Sequence, residues 1–329
     1  MPKVELHLHA AGSVRPATMR ELIAADGGSP ALAQAYGAAA IGEGLTAYLA
    51  RFAAWDAAIR TPERVARVVG ELCADLAADG VRYAEIRFRP PADDDELWRA
   101  MMGAAIGAAS TTSGPDVSFI AVVLRGWSAD RAEREARRAS AWAGRGVIAL
   151  DVAGDEALGG LPPLARALGL AREAGLGIAV HAGETQGASA MREALELLTP
   201  DRIAHGVGAA ADPDLLADLR ARGTHLEMAT RSNLQTGAVS DLARHPFGRL
   251  LRLGLAVGLS TDNRTISGTT LSDEYALAAE SLGLTWGELA RASVLAAEAA
   301  FLPTERRERL VRDIRDAWDS ADPDRAPAC

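Results

Sequence analysis

The stretch KVELHLHAAGSVRP, residues 3–16, decides between the two α/β folds that the rest of the chain permits. The apolar and β-branched residues in its first half predict a β-strand over residues 4–9. A doubly wound open sheet needs a glycine-rich phosphate-binding turn after its first strand. This strand runs into His-Ala-Ala-Gly-Ser instead. The stretch therefore favours a closed barrel over an open sheet.

Short β-type segments alternate with helix-period segments along the whole chain. This alternation implies a parallel sheet, and eight repeats predict the α/β class and a (β/α)8 TIM barrel. Extra helices are expected at the C-terminus and between strands 1 and 2, where residues 17–60 hold about three. We predict one domain over 1–329, with a frayed tail at 318–329. The predicted strands are 4–9, 81–88, 117–124, 147–152, 177–181, 202–205, 224–228 and 255–260.

Composition narrows the classes of partner. The 329 residues are 49% hydrophobic and 24% charged, with a net charge of −9. An acidic chain argues against a nucleic-acid partner, because phosphate binding needs clustered positive charge. Two cysteines and the lack of a long apolar run favour a cytoplasmic protein that does not bind membranes. We expect a monomer or a homodimer that acts on a small molecule.

Four of the six histidines share a predicted position near the C-terminal end of a strand: His7, His9, His181 and His205. A single histidine on an apolar strand is usually a hydrogen-bonded core residue. Four converging at the edge where barrel enzymes build their active sites indicate a site instead. We interpret the other two as packed residues: His225 lies at the start of strand 7, and His245 precedes Pro246.

The strand positions predict a mononuclear zinc site. Side chains at i and i+2 of a strand point the same way, so His7 and His9 can bind one ion. His181 would add a third nitrogen, and Asp262 in GLSTDNRT an oxygen. Neutral imidazole suits Zn(II), and a catalytic zinc keeps a position open for water. A second metal bridged by a carboxylated lysine is excluded because Lys3 is the only lysine. We expect one Zn(II) per chain.

Two further groups supply acid–base chemistry. Glu184, in HAGET (181–185), lies over the predicted barrel mouth, where partial desolvation would keep it protonated as a general acid. Alone it would be interpreted as a first-turn glutamate of the following helix. His205 would accept a proton from the activated water or orient that water. These groups suit attack on an electron-poor ring carbon with loss of ammonia, and they suit ester or amide hydrolysis equally well.

A set of motifs in order along the chain resembles the adenosine deaminase family of the amidohydrolase superfamily. The resemblance implies a zinc-dependent barrel enzyme that deaminates a purine. Together the motifs are nearly diagnostic, although His-x-His alone would be weak. They are PKVELHLH (2–9), YAEIRFRP (83–90), ALDVAGDE (149–156), HAGET, RIAHGVG (202–208), SNLQTGAV (232–239), STDNRTISGTTLSDEY (260–275) and AAFLP (299–303).

The resemblance assigns a role to each matching residue. It implies that Glu184 protonates purine N1 and that His205 handles the proton of the water. The backbone N–H of Gly154 would meet N3, and Asn263, where the best-known members have Asp, would contact N7. An amide donates a hydrogen bond at any pH, so this change keeps the contact. The implied metal ligands are His7, His9, His181 and Asp262, with His9 also facing the substrate.

Three positions depart from the family pattern. Ala11 stands where the family has an aspartate that binds the ribose 5′-hydroxyl, so that contact is lost and space is opened. Arg89 and Arg231 replace uncharged residues, and a cation there would recognise an anion on an extended substrate. We therefore expect deamination of a 5′-modified adenine nucleoside, with 6-aminodeoxyfutalosine as one precedent in the family. Plain adenosine deaminase, adenine deaminase and a catalytically silent zinc-binding member remain as alternatives.

Overall fold

Eight parallel strands form the barrel that the sequence predicts. The computed structural model describes residues 1–323, and the strands hydrogen-bond in sequence order from β1 to β8. Residues beyond β8 close the ring, because the Asp262 N–H donates to His7 at 2.8 Å and the His9 N–H donates to Asp262 at 2.7 Å. The strands are β1 Lys3–His9, β2 Val81–Arg87, β3 Asp116–Leu124, β4 Val147–Ala153, β5 Gly177–Ala182, β6 Arg202–His205, β7 His225–Met228 and β8 Val257–Leu259.

The strands form where short apolar runs are bounded by glycines or helix ends. In β4, VIALDVA, six of the seven residues are buried and the seventh is half-buried. Continuous burial is expected when helices cover the outer face of a parallel sheet. Most of the buried apolar side chains belong to one core cluster that joins the strands to these helices.

Helices follow the strands, and many begin at a side-chain cap. Thr61, Asp94 and Ser128 each accept a backbone N–H of the first turn, and Thr285 forms a full capping box with Glu288. The helices are α1 Pro16–Ala25, α2 Pro30–Ala35, α3 Leu45–Ala50, α4 Ala53–Ala58, α5 Pro62–Ala78, α6 Asp95–Thr111, α7 Ala129–Ser140, α8 Pro162–Glu173, α9 Gly187–Leu197, α10 Pro213–Arg222, α11 Thr230–Gln235, α12 Phe247–Arg252, α13 Arg264–Ser267, α14 Leu271–Leu282, α15 Trp286–Ala299 and α16 Thr304–Ser320.

The connection between β1 and β2 holds one helix more than predicted. It holds four short helices before α5 rather than about three. The third and fourth, α3 and α4, place Leu45, Tyr48, Phe52 and Trp55 in the wall of the cavity at the C-terminal ends of the strands. This segment therefore covers one side of the barrel mouth.

The predicted tail is wrong at its start. Helix α16 continues to Ser320, and Trp318 is 3% exposed. Its indole N–H donates to the Pro2 carbonyl at 3.0 Å, which connects the last helix to the residue before β1. Burial of a large aromatic side chain outweighs the polar composition that suggested fraying. The rest of the predicted tail, 324–329, lies outside the described residues.

No helix within residues 1–323 combines the length and the apolar composition that crossing a bilayer requires.

Candidate active site

A cavity of about 330 Å³ opens at the C-terminal ends of the strands. It is enclosed by the strand ends on one side and by α3 and α4 on the other. His7 lies directly beneath it and is fully buried. The structure thus brings together most of the residues that the sequence nominated. Those that line the cavity are His9, Ala11, Arg89, Gly154, His181, Glu184, His205, Asp262 and Asn263.

The predicted ligands converge on one point. His9 Nε2 lies 3.3 Å from His7 Nε2 and 3.2 Å from His181 Nε2. Asp262 Oδ1 lies 3.3 Å from His7 Nε2 and 3.5 Å from His9 Nε2. Ligand atoms about 2.1 Å from a tetrahedral zinc are separated by about 3.4 Å from one another. The four distances between these nitrogen and oxygen atoms therefore match the distances between ligands around a tetrahedral zinc ion.

His205 lies at the margin of this cluster. One nitrogen or oxygen from each of His7, His181, His205 and Asp262 falls within 4.8 Å of the others. The contacts of His9 are shorter, so His9 fits the ligand position and His205 does not need to occupy it. Burial lowers the pKa of His9 to about 3 despite the charge of Asp262, so its imidazole is neutral. Neutral imidazole is the form that binds a metal ion.

Side chains behind the cluster orient its members. Asp151 Oδ2 lies 3.0 Å from His181 Nδ1, which directs Nε2 toward the cavity. Ser232 donates to Asp262 Oδ2 at 2.7 Å, leaving Oδ1 to face the histidines. Arg87 lies beneath them and bonds Asp151 at 2.9 Å. These contacts hold the ligand atoms in place before any ion binds.

Backbone strain is concentrated at the same strand ends. His205 and Asp262 have positive φ angles, 63° and 59°, which residues with a Cβ rarely adopt. Among residues 1–323, only Thr199 shares this feature outside glycine. Strain of this kind costs of order 1–3 kcal/mol per residue and persists where the surroundings over-determine it. Both side chains line the cavity.

Glu184 has the properties of an acid. It is 6% exposed, and burial together with the negative charge of Asp262 raises its pKa to about 8. A pKa of about 8 favours the protonated form at neutral pH. One of its oxygens lies 3.6 Å from His205 Nε2. A proton donor and an imidazole thus face the same space above the metal cluster.

Glu156 anchors the loop that carries Glu184. Its carboxylate accepts the Gly183 N–H at 2.6 Å, the Thr185 N–H at 2.6 Å and the Gln186 N–H at 2.8 Å. Hydrogen bonds to a charged acceptor are the stronger kind. The loop on either side of Glu184 is consequently fixed by one buried side chain from the turn that follows β4.

Two glycines and Asn263 shape the wall predicted to meet a purine. Gly154 has a φ of 99°, a conformation that only glycine adopts readily, and it exposes its backbone to the cavity. A Cβ on Gly12 would lie 1.8 Å from Asn263 Oδ1, so only glycine lets this amide take its place. Ala11, between the histidines and Gly12, offers the cavity a methyl group.

The two arginines have different surroundings. Arg89 lines the cavity, where it pairs with Asp56 at 2.7 Å. Arg231 is not among the lining residues, which corrects the prediction that it reaches the substrate. It is the second residue of α11, and its backbone N–H donates to the buried Glu274 side chain on α14 at 3.3 Å. Packing between these helices, rather than the strand end, determines its position.

Sequence reasoning missed several residues that complete the site. Asp151 and Glu156 stand in the quoted motif ALDVAGDE, but nothing local indicates that they reach the HAGET loop. Arg87 pairs with Asp151 and with Glu227 at 2.5 Å inside the barrel. Charged residues at strand positions that should be buried are the signal that could have found them. Asn233, which contacts His205 Nδ1 at 2.9 Å, carries no such signal.

Comparisons with known proteins agree with this geometry. The family model described as adenosine deaminase matches residues 2–317. The curated adenosine deaminase of Mycobacteroides abscessus is 34% identical, over 95% of this chain and 94% of the relative. An adenine deaminase from Arthrobacter aurescens has a TM-score of 0.85 at 25% identity, covering 97% of this chain and 99% of its own. The N6-methyl-AMP deaminase of Arabidopsis thaliana has a TM-score of 0.85 at 26% identity, and the match covers 99% of this chain and 98% of that protein.

Proposed function

The chain belongs to the adenosine deaminase family of hydrolases, and on that premise we propose that it is a zinc enzyme that deaminates an adenine nucleoside bearing a 5′ substituent. The reaction would convert the 6-amino purine to the 6-oxo purine and release ammonia. The observation that carries the substrate proposal is Ala11, which lines the cavity with a methyl group where the family pattern has an aspartate for the 5′-hydroxyl.

Each residue of the site has a role in this reaction. Glu184, protonated at neutral pH, donates to purine N1 and removes electrons from C6. His205 orients the attacking water, and Asp262 holds one of its hydrogens. A zinc ion held by His7, His9, His181 and Asp262 would activate that water at neutral pH. The donor set of three imidazoles and one carboxylate suits zinc more than magnesium or calcium, which prefer oxygen ligands.

The wall opposite the metal cluster supports a substituent larger than a hydroxyl. Leu45, Leu49 and Phe52 make this wall apolar. Trp55 also lines the cavity, and its buried indole N–H has no acceptor among residues 1–323. An extended group with apolar surface and a hydrogen-bond acceptor would match these side chains, as in 6-aminodeoxyfutalosine.

Arg89 supports an anionic end on such a substituent. The Arg89 side chain is 24% exposed. Its partner Asp56 has a side chain that is 56% exposed, so the guanidinium can also bind a second anion. A carboxylate or phosphate would form the stronger, bidentate pair. The substrate panel therefore includes both kinds of anion.

The test is ammonia release from a panel of purines by the zinc-loaded enzyme. The panel holds adenine, adenosine, 5′-deoxyadenosine, 5′-methylthioadenosine, AMP, N6-methyl-AMP and 6-aminodeoxyfutalosine. We expect a 5′-substituted compound to exceed adenosine in kcat/KM by at least about 10-fold, the effect of one lost hydrogen bond in a site. Adenosine as the best substrate by a wide margin would refute the interpretation of Ala11. Adenine as the best would assign the enzyme to free bases.

Measuring the metal content tests the remaining alternative, a catalytically silent zinc-binding protein. One equivalent of zinc without ammonia release from any member of the panel would indicate a silent binding protein.

A further inference from the structure

A chain of three buried side chains runs from the cavity into the protein. Asn233 Nδ2 lies 2.9 Å from His205 Nδ1, and Asn233 Oδ1 lies 3.1 Å from His245 Nε2. His205, Asn233 and His245 are 1%, 0% and 5% exposed. The chain ends at the backbone N–H of Phe247, 3.3 Å from His245 Nδ1. The polar atoms of this chain contact one another directly and are buried, so its hydrogen bonds must satisfy one another.

The Phe247 N–H determines the direction of every hydrogen bond in this chain. It belongs to the first turn of α12, where no helical carbonyl can accept it, and a backbone N–H can only donate. His245 Nδ1 must therefore accept, which leaves the ring proton of neutral His245 on Nε2. That proton is donated to the Asn233 carbonyl oxygen. The Asn233 amide group then donates to His205 Nδ1.

His205 is left with its proton on Nε2. Its Nδ1 accepts from Asn233, so an imidazolium is disfavoured because its Nδ1–H would oppose the Asn233 N–H. The opposite tautomer requires Asn233 to flip, and His245 to present an Nδ1–H to the Phe247 N–H. Two donors would then face each other in a buried position, which forfeits a hydrogen bond at each. Only one arrangement satisfies all four groups.

The Nε2 atom of His205 faces the reaction centre. It lies 3.6 Å from Glu184 Oε2, and the ring packs edge-on against His7 with centroids 4.9 Å apart. A nitrogen that already carries a proton cannot take another from the attacking water. It can donate a hydrogen bond to the oxygen of that water and so point a lone pair at the substrate carbon.

We propose that His245 is a positioning residue that, through Asn233, holds His205 in the Nε2–H tautomer, so that His205 orients the water rather than accepting its proton. This inference rests on the proposed deaminase function for its consequence in catalysis. The tautomer itself rests only on the hydrogen bonds.

The experiment is two-bond ¹H–¹⁵N correlation spectroscopy of the zinc-loaded protein with ¹⁵N-histidine, which distinguishes protonated from unprotonated ring nitrogens. His205 is assigned by its loss in His205→Gln. In the wild type we expect a protonated Nε2 and an unprotonated Nδ1. His245→Gln keeps an amide donor for Asn233 and is expected to keep this pattern. His245→Leu removes the donor and is expected to give a mixture of tautomers.

His225→Leu is the matched control. It removes another histidine that is 2% exposed and whose ring nitrogens have no partner among residues 1–323. We expect it to leave the His205 signals unchanged. On the best substrate of the panel, His245→Leu is expected to lower kcat by about 10- to 100-fold with little change in KM, and His245→Gln to recover most of that loss.

A protonated Nδ1 on wild-type His205 would overturn the proposal, even if the His245 variants failed to fold. Unaltered His205 signals and unaltered kcat in His245→Leu would overturn the role of His245. If no purine is deaminated, the proposed function fails while the spectrum still decides the tautomer.

Discussion

Replacing Glu184 by glutamine tests the acid directly, because the amide keeps the shape of the side chain and cannot titrate. The carboxyl is 6% exposed, and burial with the charge of Asp262 raises its pKa from 4.5 to about 8. At neutral pH the folded protein therefore holds a proton on Glu184 that the unfolded chain releases. Both activity and stability depend on that proton.

The sign of the stability effect follows from proton linkage. Below a pH of about 4.5 the carboxyl is protonated in both states, and its stabilising contribution is fully present. As the pH rises toward the folded pKa of about 8, the unfolded state gains by ionising and the free energy of unfolding falls. At about 1.4 kcal/mol for each pKa unit, the full span corresponds to at most ~5 kcal/mol. A bound cation favours the ionised form and reduces this value.

We expect Glu184→Gln to lower kcat by about 100-fold or more, the contribution of a general acid. Its free energy of unfolding should exceed that of the wild type by an amount that grows from about pH 5 to about pH 8. Denaturant titrations across this range, with zinc content verified at each pH, measure the difference. Glu308→Gln, at an exposed position of α16, controls for the change from acid to amide.

Two results would refute this reasoning. A stability difference that stays constant across the pH range would show that the fold does not hold Glu184 protonated. Wild-type kcat in Glu184→Gln, with zinc retained, would remove Glu184 from the role of acid.

Three further substitutions test the substrate site and the supports of the machinery. Ala11→Asp should raise kcat/KM for adenosine by about 10-fold or more, since a charged acceptor for the 5′-hydroxyl is worth about 1.5–3 kcal/mol. If the ratio of kcat/KM for adenosine to kcat/KM for the 5′-substituted substrate stayed unchanged, the result would contradict this prediction. Glu156→Gln should lower the melting temperature and kcat together, because three backbone donors around Glu184 lose a charged acceptor. A wild-type kcat in a variant with a lowered melting temperature would show that Glu156 contributes to stability and not to catalysis. Asp151→Asn should weaken zinc binding by about 10- to 100-fold in competition with a chelator, because His181 loses its charged orienting partner. Unchanged affinity would show that the Val152 carbonyl, 3.1 Å from His181 Nδ1, is enough to orient the ring.

The barrel and most of its ligand set could be predicted from local sequence. Alternate residues of a strand point the same way, so His7 and His9 had to share a face. The C-terminal ends of parallel barrel strands meet at one edge, so His181 and Asp262 had to approach them. The structure confirms the barrel architecture and places ligand atoms of His7, His181 and Asp262 within 3.5 Å of His9 Nε2.

The supports of those side chains could not be read in the same way. Glu156 reaches a loop 27 residues further on, and Arg87 meets Asp151 64 residues away. Arg231 follows a strand as Arg89 does, but Arg231 lies in α11 with its backbone N–H bonded to Glu274 of α14, whereas Arg89 lines the cavity. Such contacts depend on how helices and loops pack around the barrel, and no periodicity along the chain encodes them.

The sequence by itself determined the eight-stranded barrel, the candidate metal ligands and the loss of a polar group at Ala11, because each follows from residue type and strand position. Only the tertiary structure decided that Glu184 is buried enough to hold its proton, that Arg231 leaves the cavity, and that His245 reaches His205 through Asn233. The physical reason is that pKa values and tautomers depend on burial and on partners in space, which residues distant in sequence supply together.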